Sequence, residues 1–188
     1  MLSSAYIELG YDHILDPEGY DHILFIIALC VGYMWTDWRK ILVLVTAFTI
    51  GHSLTLALSA LDIVRISSDL VETLIPITIV LTCIHNVFVA MTDQTSIKGQ
   101  YSLALGFGLI HGLGFSNFFR ALVFGDESII PSLLSFNIGV ELGQIAIVLL
   151  TLVIGYLMIN FLNIPRKYYI ITMSLVVMAM AVYVGFLT

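Results

Sequence analysis

The chain has 188 residues, 60% hydrophobic and only 11% charged, with a mean hydropathy of +1.04. Soluble domains carry about 25% charged residues, so these values exclude that class and indicate an integral membrane protein. The net charge is −6, with no basic patch and no phosphate-binding loop, which gives no support for nucleic-acid or nucleotide binding.

The length suits one transmembrane domain over 1–188, with no room for a second. Residues 1–38 contain no Lys or Arg. A signal-peptide basic region is therefore not expected, and the first membrane helix should act as its own insertion signal. Residues 1–15 are too short and too acidic to span, and are expected to form a surface helix or a re-entrant segment. They contain the hexapeptide Gly10–Leu15, GYDHIL, which recurs as Gly19–Leu24.

A membrane span needs about 20 apolar residues. Six segments qualify, near 17–36, 40–61, 70–92, 101–123, 131–161 and 168–187. The expected fold is therefore all-α, a compact bundle of six transmembrane helices. Asp16-Pro17 reads as the start of the first helix, with Asp as N-cap and Pro at the first helical position. On that reading Asp21 and His22 sit about a turn inside the helix. Cys30 and Cys83 fall within apolar runs and read as small core residues.

Arg39, Lys40, Lys98, Arg166 and Lys167 fall in the first, third and fifth connections, with Arg65 and Arg120 opposite. The positive-inside rule then places the N-terminus outside the cytoplasm. The outer side collects Glu8, Asp12, Asp16, Glu18, Asp21, Asp62, Asp69, Asp126 and Glu127, an acidic face that concentrates cations. Tyr33, Trp35, Trp38, Tyr168 and Tyr169 read as interfacial anchors.

Ionisable groups inside a membrane are costly and mark function. In the second helix Thr49, His52, Thr55 and Ser59 share one side, with His52 roughly 14 Å below the outer end. In the third, His85 lies in the inner half, away from the depth of His52, and reads as structural. In the fourth, Gly106, Gly108, Gly112 and Gly114 surround His111, and Gly108, Gly112 and Ser116 form a small-xxx-small ridge for close packing. In the fifth, Asn137, Glu141 and Gln144 share a face beside Gly139 and Gly143, with Glu141 near the depth of His52. The sixth has no ionisable residue after Lys167 and reads as scaffold or the surface of a homo-oligomer. Asp21, His22, His52, His111 and Glu141 thus form a candidate ligand set for a divalent transition metal such as nickel, cobalt, zinc or manganese.

GYDHILF at 19–25, FTIGHSLTLALS at 48–59, FGLIHGLGF at 107–115 and FNIGVELGQ at 136–144 together resemble the HupE/UreJ family of bacterial membrane proteins. The resemblance implies six membrane helices and secondary transport of nickel or cobalt. It implies a signature metal motif at His13, Asp21 and His22, with His52 as a further ligand. Here seven residues separate His13 from Asp21, where the family commonly has five. That spacing assigns Asp12-His13 to an outer lid or a supporting position. The residues leave open a second class, a membrane-embedded metalloenzyme using the same site for hydrolysis or redox chemistry.

Overall fold

The computed structural model describes residues 3–17, 19–92, 97–123 and 128–187. Glu18, Asp126 and Glu127, and the side chain of Lys98, lie outside the described residues. The described residues are mostly helical, with no strand among them. The helices are α1 (Ser4–Leu15), α2 (Asp21–Cys30), α3 (Trp38–Ala60), α4 (Ser68–Thr92), α5 (Ile97–Leu122), α6 (Ile129–Tyr156) and α7 (Arg166–Leu187). Five of the described helices are long and apolar enough to cross a membrane: Trp35–Ala60, Ser68–Thr92, Gln100–Leu122, Ile129–Phe161 and Arg166–Phe186.

The start of the chain departs from the expected single helix over 17–36. Asp16-Pro17 ends α1 instead of opening the next helix. The residue before a proline is pushed out of the helical region, and Asp16 takes φ −58° and ψ 116°. Its carbonyl accepts the Gly19 N–H at 3.2 Å, closing a turn. Helix α2 begins only at Asp21 and has 10 residues, about 15 Å against the roughly 30 Å of a hydrocarbon core. After Gly32 a 3₁₀ turn at Trp35–Asp37 leads into α3, and Asp37 accepts both the Met34 N–H and the Lys40 Nζ.

Helices pair as α3 with α5, α1 with α6 and α4 with α7. In lipid no hydrophobic force separates one helix from another, so close backbone approach through small residues decides which pairs form. A Cβ on Gly108 would strike the Phe48 carbonyl, one on Gly112 the His52 carbonyl and Thr55 Oγ1, and one on Gly51 the Leu105 carbonyl. The second pair uses the same device, with Gly10 against the Phe136 carbonyl and Gly139 against that of Ile7. Ser116, expected to extend the ridge on α5, donates to the Leu113 carbonyl of its own helix.

These contacts fix how far α1 reaches. The Ser3 N–H donates to Ser135 Oγ at 3.0 Å, and Ile14 lies against Gly143. Helix α1 therefore runs beside the first half of α6 and in the same direction. Helix α2 continues toward the other end of the bundle. There Asn86 Nδ2 donates to the Ala28 carbonyl at 2.6 Å, and Arg166 Nη2 to that of Gly32. Leu24, Phe25, Ile26, Ala28, Leu29 and Cys30 of α2 are all buried.

Lys40, Arg166 and Lys167 gather around one cavity at the basic end of the bundle. At the opposite, acidic end Asp62 stands at φ 61°, a left-handed position that Asp tolerates. It accepts from Arg65 and, at 3.0 Å, from Arg120, which ties the α3–α4 connection to α5. The Arg65 side chain, bonded to it first of all, holds the Asp62 carboxyl below the usual carboxylate range. Around the bundle Leu42, Ile50, Leu54, Leu81, Ile84 and Leu150 are exposed, an apolar surface suited to lipid.

Candidate metal centre

Four helices bring one imidazole each to the same place. His13 comes from the last turn of α1, His22 from the first turn of α2, His52 from α3 and His111 from α5. The ring centres of His13 and His22 are 4.6 Å apart, those of His22 and His52 5.7 Å, those of His13 and His52 5.7 Å, and those of His22 and His111 5.3 Å. Two triads have ligand atoms all within 4.8 Å of one another: His13, His22 and His52, and Asp21, His22 and His111. His22 belongs to both triads and links them.

The break between α1 and α2 makes this possible. It ends one helix just after His13 and starts another just before His22, and the helix break after Asp16 takes up the seven-residue spacing. The glycines contribute equally. Gly112 lies one residue from His111 and meets the backbone of His52 itself, so the closest approach of α3 to α5 falls beside the two imidazoles.

Hydrogen bonds set which nitrogen of each ring is open. His22 Nδ1 lies 3.1 Å from Asp21 Oδ1, and the His22 backbone N–H donates to the same oxygen at 2.9 Å. An ionised carboxylate only accepts, so Nδ1 carries the proton and Nε2 has the lone pair. The Thr78 hydroxyl donates to the Ile75 carbonyl at 2.7 Å. Its oxygen therefore accepts from His111 Nε2, 3.2 Å away, and His111 keeps its lone pair on Nδ1. The nitrogens left over are His22 Nε2, His111 Nδ1, His13 Nε2 and both nitrogens of His52, all buried without a hydrogen-bond partner in the protein. An orphaned buried polar atom costs about 1–3 kcal/mol. A neutral imidazole has one lone-pair nitrogen, so the cluster offers four donors, one per ring, a set matched to a borderline divalent metal. His22 held by Asp21 is the carboxylate–histidine arrangement that orients metal-binding imidazoles.

Phenylalanines wall the cluster. Phe115 lies 3.9 Å from His13 between ring centres, Phe25 5.0 Å from His111, Phe48 5.3 Å from His111, and Phe136 6.4 Å from His52. They make the surroundings of the rings apolar, and in such a medium charge–ligand interactions strengthen. Sequence patterns alone give neither these rings nor Thr78 a role. The signal was present: Phe25, Phe48 and Phe115 lie three or four positions from a histidine on their own helix, hence on the same face.

Glu141 is the one sequence-predicted candidate not brought to the cluster. It lies on α6, but its Oε1 accepts from Thr46 Oγ1 at 2.9 Å on the exposed side of the α3–α6 contact. Gln144, one turn on, faces inward and accepts from Thr49 Oγ1. Two cavities approach the cluster. One of about 400 Å³ reaches His13 between Asp12, Asp16, Phe115 and Phe118. Another of about 400 Å³ reaches Asp21 beside Glu72, Tyr20 and Pro76.

No curated protein and no solved structure matches the chain. The family model described as HupE / UreJ protein matches residues 1–187. With essentially its whole length matched, and with the motif histidines lying in the cluster, the chain belongs to the HupE/UreJ family.

Proposed function

We propose that the protein is a secondary transporter for nickel or cobalt in a bacterial inner membrane, and that the four-histidine cluster is its substrate site. The observation that carries this reading is the convergence of five unpartnered imidazole nitrogens from four helices in a phenylalanine-walled interior. His22 Nε2, His111 Nδ1, His52 and His13 Nε2 hold the ion, and Asp21 orients His22. The metal is substrate here, bound by neutral imidazole and released inward.

In this reading α1 and α2 together make one broken span. One half-helix is packed on α6 and the other continues toward the basic end, which brings the crossings to six in a single domain. Discontinuous helices that place a site near the membrane midplane are a recurring feature of secondary transporters. The basic end, with Arg39, Lys40, Arg166 and Lys167, faces the cytoplasm. The acidic end faces outward, where Asp12, Asp16 and Glu72 line the two approaches and attract dications.

The test is uptake of labelled nickel and cobalt into proteoliposomes, with the metal content of the purified protein measured alongside. Saturable uptake that is lost in His22→Ala and His52→Ala supports the transporter. Tight stoichiometric metal with no flux would favour a fixed-metal enzyme instead.

A further inference from the structure

His85, which reads from sequence as structural, belongs to a second polar feature on the basic side of the cluster. Thr78, Thr82, His85 and Asn86 follow one another at helical spacing down α4. Thr78 bonds His111, and the Thr82 hydroxyl donates to the Thr78 carbonyl at 2.9 Å. Thr82, His85, Asn86 and Gln100 line a small chamber of about 20 Å³ with Leu44 and Phe107. That volume suits a body about the size of one water. His85 Nε2 is buried there with no hydrogen-bond partner in the protein.

The chamber adjoins a larger space on one side and an aromatic wall on the other. Asn86 and Gln100 also line the basic-end cavity, a vestibule of about 410 Å³. Tyr33 donates its hydroxyl to Gln100 Oε1 at 2.5 Å, at the junction between the two spaces. Toward the cluster stands Phe25, fully buried, with its ring centre 5.0 Å from those of His111 and Phe48 and 5.7 Å from that of Phe107. Phe25 follows His22 by one turn of α2, so any shift of α2 that carries His22 also moves Phe25. Lys40, Arg166 and Lys167 outnumber Asp37 in the vestibule, so a dication that reaches it is not held there.

We propose that this face of α4 is the exit route of the transporter, with His85 as a second, transient station for the same divalent metal and Phe25 as the barrier between the two stations. The proposal rests on the transport reading above and adds the inward half of the path. Hydroxyl and amide oxygens with one imidazole make a weaker donor set than four imidazoles. That is the order required for an ion to be bound at one station and released from the next.

The experiment compares His85→Ala and His85→Cys with wild type. In proteoliposomes loaded from outside with nickel alone, His85→Ala should retain nickel binding at the cluster but lose at least tenfold in inward flux. His85→Cys, which restores a metal-ligating atom, should recover much of that flux. In inside-out vesicles nickel should also slow maleimide labelling of His85→Cys, counted above the background of Cys30 and Cys83. Undiminished flux in His85→Ala, or equal loss in the Ala and Cys variants, overturns the proposal. Failure of wild type to carry metal would reject the transport reading instead, and the labelling arm then decides the inner site alone: labelling insensitive to nickel rejects it.

Discussion

Asp21→Asn separates an orienting carboxylate from a ligand. Asp21 Oδ1 takes two bonds from His22, from Nδ1 at 3.1 Å and from the backbone N–H at 2.9 Å. Asparagine keeps the shape and one acceptor oxygen but removes the charge that strengthens the bond and fixes the tautomer. Loss of such an outer partner costs about 10–100-fold in metal affinity, or roughly 1.4–2.7 kcal/mol. The Asp21 side chain is 30% exposed, and solvent screening weakens charge effects there, so the lower end, about tenfold, is expected. Isothermal titration of detergent-solubilised protein with nickel measures it beside His22→Ala, which should abolish binding. If Asp21→Asn proves as severe as His22→Ala, Asp21 is itself a ligand. Unchanged affinity would mean that the pair does not prepare His22 at all.

Thr78→Val removes the acceptor that holds His111 Nε2–H and should lower nickel affinity several-fold without loss of fold, as read by titration and by thermal melting. Gly112→Ala forces a methyl group against the His52 carbonyl and Thr55 Oγ1. Overpacking of this kind costs about 1–3 kcal/mol, so both the melting temperature and the nickel affinity should fall. Glu141→Gln should leave nickel affinity unchanged, since Glu141 bonds Thr46 away from the imidazoles; a loss of tenfold or more would return it to the ligand set. Because a ligating imidazole must be neutral, protons compete with the metal. Affinity should therefore fall at acid pH, once the imidazoles take up protons, and a binding curve unchanged down to the acid limit of folding would argue against histidine ligation.

Much of this was legible in the sequence because burial of a polar group in lipid is so costly. His22, His52 and His111 each interrupt an apolar run, and the glycines beside His111 advertise the close contact with α3. The break between α1 and α2 was only half legible. Asp16-Pro17 marks a helix boundary, but the sequence signal for a start and for a stop is nearly the same, and the start was the wrong choice. A start there sets His13 apart, because a spacing of seven residues looks too long until α1 is seen to end at Leu15, with His13 beside His22. Glu141 shows the limit of depth estimates. Rotation about α6 decides whether a residue faces the core or lipid, and position 144 faces inward while 141 does not. His85 reads as structural from its depth, and no sequence pattern shows that Gln100 and Phe107, from another helix, line a chamber with it.

X-ray absorption of the nickel-loaded protein tests the central claim most directly. The account predicts one nickel per chain with at least three imidazoles in its coordination shell, and loss of that imidazole signature in the His22→Ala/His52→Ala double variant. A protein that takes up no nickel or cobalt even in excess, or one whose bound metal shows no imidazole scattering, would contradict it.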